Sequence, residues 1–174
     1  RFLRAGPAYG GSCFPKDTRA LINTGNLYKS NLSIIKSVVK SNENRKLLLT
    51  NRIKRIKKNK VKNKIITFLG VTFKPNTDDM REASSLFMIP KLTKLKAKIR
   101  YFDPSGKKKE FNNLKHVEYC NNISSACHKS DLIIIHTEWN EFKLLNFKNL
   151  VKKKNFVIFD MRNIYSTLKM KNLK

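Results

Sequence analysis

KIITFLGVTF, residues 64–73, is an unbroken apolar run rich in β-branched residues that stops at a glycine and a loop. A strand with one wet face alternates apolar and polar residues. A continuous run of this length marks a strand buried on both faces. Toward the C-terminus the pattern recurs in KIRYFDP (98–104), DLIIIHT (131–137) and NFVIFD (155–160), with VEYC (117–120) as a shorter candidate. Between these runs, SSLFMIPKLTKL (84–95), ISSACHKS (123–130) and NFKNLVKK (146–153) carry helical spacing, with a kink expected at Pro90. Strands alternating with helices predict an α/β fold whose parallel sheet is covered on both faces.

Toward the N-terminus the period changes. From Ser33 to about Lys58, Ile34, Ile35, Val38, Val39, Leu47, Leu48 and Ile53 recur at helical spacing. A helix this long with a continuous apolar stripe joins two domains or packs against a twin. Before it, DTRALINTGNLYKSNL (17–32) predicts a first helix starting at Asp17 and broken within about Gly25 to Asn31. Residues 1–16 read as a loop, holding three of the six glycines and two of the five prolines. The expected division is therefore 1–16, a cysteine loop; 17–60, a central helical region; and 61–174, the sheet domain.

The chain has 174 residues and is 40% hydrophobic, enough for a real core. Its apolar runs are far too short to span a bilayer, so no membrane partner is expected. It opens on RFLRAGPAYGG, with neither an initiator Met nor a signal-peptide core. The expectation is a sequence that begins inside a longer protein. The formal net charge is +26. Lysine far outnumbers arginine, and Asn and Ile are abundant, as an AT-rich coding sequence would give. That bias and the scarcity of arginine argue against a nucleic-acid partner. The run NRIKRIKKNKVKNK (51–64) reads as a solvated helix end. Cys13, Cys120 and Cys127 form no disulfide framework and no zinc spacing, which fits a reducing cytoplasm and no metal. His116, His128 and His136 are isolated and read as structural.

Four loops carry chemistry. In GPAYGGSCFPKD (6–17) the glycines allow close backbone approach, and Cys13 sits just before a helix start whose dipole favours thiolate. Lys16 adds positive charge. Asp17 opposes thiolate and suits water or proton transfer. GVTFKPNTDDMREASS (70–85) follows a buried strand, where open α/β sheets bind ligands. Its Lys74 and Arg81 suit phosphate, and Ser84 suits a helix cap. HTEWNEF (136–142) and FDMRN (159–163) close two further strands.

In this order, GGSCFPKD, FKPNTDDMRE, TEWNEF and FDMRN resemble the signatures of the UDP-glucose 6-dehydrogenase family, within the wider group of UDP-sugar and GDP-mannose dehydrogenases. The resemblance covers essentially the whole chain, but only the later part of the family's architecture. It implies an α/β fold with a central long helix followed by a Rossmann-like C-terminal domain, and a homodimer through that helix. It implies oxidation of a UDP-sugar, UDP-glucose to UDP-glucuronate, in two hydride transfers to NAD. By the same resemblance Cys13 is the nucleophile, passing through thiohemiacetal and thioester, and Asp17 assists water or proton transfer. Lys16 and Arg81 meet NAD. Phe2, Leu3, Arg4, Ala5, Gly6 and Gly10 close over the UDP-sugar, Lys74 contacts it, and Arg162 does so in some members. The family's G-x-G-x-x-G cofactor fingerprint is not among the six glycines, so a separate NAD-binding domain is an expected partner. Ala8 stands where the family has glycine, a cost of about 1 kcal/mol if that position needs positive φ. A lone copy of these residues is expected not to turn over. Two other readings stay open: a catalytically dead remnant that still folds, and a basic nucleic-acid-binding module.

Overall fold

The structure, a computed structural model, describes residues 6–165. The helices are α1 (Cys13–Leu27), α2 (Ser33–Ile56), α3 (Ser85–Lys94), α4 (Ile123–Cys127) and α5 (Phe147–Val151). The strands are β1 (Ile65–Leu69), β2 (Lys98–Phe102), β3 (Val117–Tyr119), β4 (Leu132–Ile135) and β5 (Val157–Asp160). All five strands are parallel, in the order β3-β2-β1-β4-β5. The chain turns from one direction of sheet growth to the other between β1 and β4. In such sheets this switch point opens a crevice at the carboxyl ends of the strands.

Both faces of the sheet are covered, as the continuous apolar strands require. Ile66, Phe68, Leu132 and Ile134 face one cluster, where Ile53 of α2 and Met88, Ile89 and Leu92 of α3 pack. Leu69, Ile133 and Ile135 face the other, against Cys127 of α4 and Phe147 and Val151 of α5. Thr67 interrupts the second face without cost, because its hydroxyl bonds Ala126 O at 2.7 Å and Ser130 Oγ at 2.6 Å. Among the described residues no helix is long and apolar enough to cross a membrane.

One sequence expectation fails at α1. The helix starts at Cys13, not Asp17. Pro15 falls in the first turn, where a missing N–H costs nothing, so SCFPK can enter the helix. Gly25 itself stays inside the helix, near its end. A Cβ there would lie 2.6 Å from Leu32 Cδ1, so the glycine lets the following turn fold back, and Ser30 N closes on Gly25 O at 2.8 Å. The break expected within about 25–31 falls at 28–32.

Candidate active site

The carboxyl edge of the sheet is held by three side chains. Asp103, fully buried after β2, accepts from Val71 N at 2.7 Å and Thr72 N at 3.3 Å, which fixes the start of the 70–84 loop. Arg162, after β5, donates Nε to His136 O at 2.8 Å and Nη2 to Phe73 O at 2.7 Å. It thereby ties the loops after β5, β4 and β1 together. Burial pulls its guanidinium pKa down, and Glu138, 3.6 Å away, pulls it back up.

His136 forms the third tie. Thr137 Oγ1 donates to Thr72 O at 2.7 Å, so its proton is spent and it accepts from His136 Nδ1 at 3.1 Å. Nε2 is then the acceptor for Ser84 Oγ at 2.8 Å. This is the neutral Nδ1–H tautomer. Burial first, and Arg162 second, push the imidazole pKa down to about 3. The reading of His136 as structural stands, but Ser84 does not cap α3 with its side chain, because its hydroxyl is used here.

The cysteine loop docks onto this edge. Gly11, at φ +85, donates to Arg81 O at 2.8 Å. A Cβ on Gly10 would lie 2.6 Å from Glu82 O, and one on Gly6 2.8 Å from Arg162 Nη1. Only glycine permits these approaches. Ala8 is not at positive φ, so the expected alanine strain does not arise. Asn42 of α2 clamps Tyr9 from both sides, accepting from its N at 2.9 Å and donating to its O at 3.2 Å. Arg45 donates twice to Gly6 O, at 3.1 and 2.8 Å.

Glu82 joins the two layers. Its carboxylate accepts from Arg19 of α1 at 2.8 Å and from the buried Lys46 of α2 at 3.4 Å. Arg19 first, then Lys46, hold that carboxyl below its usual range. Lys46 also reaches Glu43 at 3.0 Å. No sequence pattern isolates Glu82 or Asn42, because each works through partners 33 to 63 residues away.

Cys13 emerges exposed as the first residue of α1, with Ser12 Oγ 3.6 Å from its sulfur. Lys16 and Asp17, three and four residues on, share its side of the helix. They pair with each other at 3.4 Å and are 74% and 65% exposed. Arg81 is forked onto Asp79, with Nε 2.9 Å and Nη2 2.8 Å from the carboxylate oxygens. Asp79 chiefly raises its pKa, and the bond from Gly11 N to its backbone O sets Arg81 beside the cysteine loop. Lys74 is exposed, its ammonium 5.3 Å from the centroid of Phe73, whose ring packs on Gly11. Gly6, Gly10, Cys13, Arg81 and Arg162 thus gather about one edge. Phe2, Leu3, Arg4 and Ala5 lie outside the described residues. Two recesses, of about 180 and 900 Å³, flank β3 instead. The cation in the larger one, Arg100, is already spent on Glu118 and His128 O.

The described residues do not seat a dinucleotide. The turn after β1 is where a Rossmann sheet cradles pyrophosphate on glycines. Here a Cβ on Gly70 would lie 2.4 Å from Thr137 Cβ, so the space is filled, and a long loop rather than a tight turn leads to α3.

Residues 67–167 match the UDP-binding domain of the UDP-glucose/GDP-mannose dehydrogenase family, and residues 1–44 match its central domain. A UDP-glucose 6-dehydrogenase of Rhizobium meliloti is 36% identical over 95% of this chain. One from Rickettsia prowazekii is 40% identical over 99% of it. The chain spans 38% and 40% of those two proteins' lengths. A UDP-glucose dehydrogenase structure from Pyrobaculum islandicum superposes with a TM-score of 0.79 at 27% identity, covering 94% of this chain and 37% of that one. With the predicted parallel sheet present and the family's UDP-binding domain matched over more than half of this chain, the chain belongs to the UDP-glucose/GDP-mannose dehydrogenase family.

Proposed function

We propose that these residues form the thiol and uridine-diphosphate side of a UDP-glucose 6-dehydrogenase. The observation that carries the reading is the docking of the Cys13 loop onto the carboxyl edge of the sheet, through Gly11 N to Arg81 O at 2.8 Å. An exposed thiol at a helix start is thereby fixed beside a ligand-binding crevice.

Cys13 thiolate adds to the aldehyde-level carbon of the sugar. The C–S bond forms, the carbonyl electron pair moves to oxygen, and that oxygen takes a proton to give a thiohemiacetal. At the thioester level water attacks the carbonyl carbon, the C–S bond breaks, and the carboxylate leaves as the thiolate is restored. Asp17, one turn along α1, assists the water or the proton. The oxidations need a hydride acceptor, NAD in this reading, seated by residues other than those described and met at its edge by Lys16 and Arg81. Gly6 and Gly10, with Phe2 to Ala5, close over the UDP-sugar, Lys74 pairs with it, and Arg162 steadies the same loops. The protein works in the cytoplasm as a homodimer through α2. There Ile34 and Leu48 are 76% and 61% exposed, an apolar face that asks for cover.

Calorimetry with UDP tests the nucleotide half. These residues should bind it at high-micromolar to millimolar affinity, about 4–6 kcal/mol, and Lys74→Ala should weaken it. Nanomolar binding, or indifference to Lys74, contradicts the proposal. The 174 residues alone should give no NADH from UDP-glucose, so turnover would contradict the need for a cofactor site elsewhere.

A further inference from the structure

We propose that the amino-terminal edge of the sheet, opposite the cysteine loop, is a docking face for an anionic lipid surface. In a parallel sheet every helix-to-strand turn lies on this edge. Among the described residues those turns carry five lysines in 57–64, three in 94–98, Lys115, Lys129, and three in 152–154, against one acid, Asp131. The strand-to-helix loops of the same chain are balanced, with Lys74 and Arg81 against Asp78, Asp79 and Glu82 in 70–84. A compositional bias toward lysine acts on the whole chain and does not by itself sort charge by edge.

Helix dipoles give a competing reason for cations there, because α2, α3, α4 and α5 all end on this edge. Four helix ends amount to about two negative charges, at half a charge each. Thirteen lysines against one aspartate far exceed that. Asp131 is already saturated, 2.7 Å from Lys153 and 3.7 Å from Lys64, while Lys57 donates to its backbone O at 3.2 Å.

The turns form one continuous, level row. Asn63 N donates to Lys96 O at 2.8 Å, Ile99 N to His116 O at 2.8 Å, and Lys129 N to Val151 O at 2.7 Å. Ile66, Ile99, Val117, Leu132 and Val157 share a register line, so the strands start level. Five strands span about 19 Å. None of these cations is arginine and no Phe, Tyr or Trp ring stands exposed among them, which disfavours base reading and stacking. Leu95 and Val157, 40% and 39% exposed on this edge, suit a lipid interface better than a phosphodiester backbone. The expectation of no membrane partner rested on spanning segments, and surface binding is a different mode. It leaves the cysteine edge facing water.

Vesicle co-sedimentation tests the face. The chain should bind phosphatidylcholine vesicles containing phosphatidylserine, more weakly as salt rises, and should ignore pure phosphatidylcholine. Each surface lysine contributes about fivefold. Replacing Lys60, Lys62, Lys152 and Lys154 by Gln should therefore weaken binding about a hundredfold or more. Replacing Lys29, Lys36, Lys40 and Lys143 by Gln removes the same charge elsewhere and should cost less than fivefold. Thermal unfolding of both variants checks that they fold. Equal losses in the two variants would reduce the effect to net charge and overturn the proposal. So would failure to bind anionic vesicles, or capture of duplex DNA in preference to them.

Discussion

The carboxyl edge and the cysteine lip that rests on it are built differently. Asp103, His136 and Arg162 are buried or nearly so, and each holds backbone or side-chain partners from other loops. Cys13, Lys16 and Asp17 are exposed, and the two charges answer mainly each other. The first set fixes the loops of the carboxyl edge. In the proposed chemistry the second stays open to meet a ligand. Stability should therefore be concentrated at the edge and thiol chemistry at the lip.

Arg162→Met gives the largest expected effect. Two charge-assisted bonds to Phe73 O and His136 O vanish and Glu138 loses its cation, a cost of about 3–5 kcal/mol. Urea unfolding measures it, and a loss under 1 kcal/mol would show that the three loops are held by something else.

His136 gives the next. Its folded pKa, about 3, lies below the ordinary value near 6.5, so the unfolded chain binds the proton first. Stability is complete above about pH 6.5 and falls as pH drops toward 3, with a slope of about 1.4 kcal/mol per pH unit. The lowered carboxyls of Asp79, Glu82 and Asp131 add their own loss only below about pH 4.5. The interval from about 4.5 to 6.5 therefore isolates the histidine. His136→Gln should flatten it, and an unchanged slope would mean the imidazole is not neutral in the fold.

Glu82→Gln should cost about 1 kcal/mol, because its pairs are partly solvated and Lys46 keeps Glu43. It should also change the alkylation rate of Cys13, since Arg19 loses a tether on the same helix. Arg19→Gln cuts the same tether from the other side and should change that rate in the same direction. Cys13→Ser, at the exposed lip, should shift stability by no more than about 0.5 kcal/mol.

Much of this contrast was legible in the residues. The continuous runs 64–73 and 131–137 placed β1 and β4 and required helices on both faces. The glycines beside Cys13 marked the docking loop. The start of α1 was not legible, because Pro15 reads as a breaker unless the first turn already includes it. Arg162 was expected on substrate alone, yet its two backbone bonds are made to carbonyls 26 and 89 residues away. Such tertiary roles leave no local period. The family motifs nonetheless fall in the loops that these bonds tie together, because the motifs and the tying residues close the same strands.

The most direct test is the alkylation rate of Cys13 by iodoacetamide as UDP-glucose is added, read by peptide mass spectrometry. Cys120 and Cys127 serve as internal references: both are buried, and burial raises the Cys120 pKa and pushes that of Cys127 up to about 12. Without ligand Cys13 should react first. If the thiol and the nucleotide share one site, saturating UDP-glucose should slow its modification several-fold while free glucose does nothing. Calorimetric binding of UDP-glucose with no change in the Cys13 rate would separate the thiol from the nucleotide site and contradict the proposed chemistry.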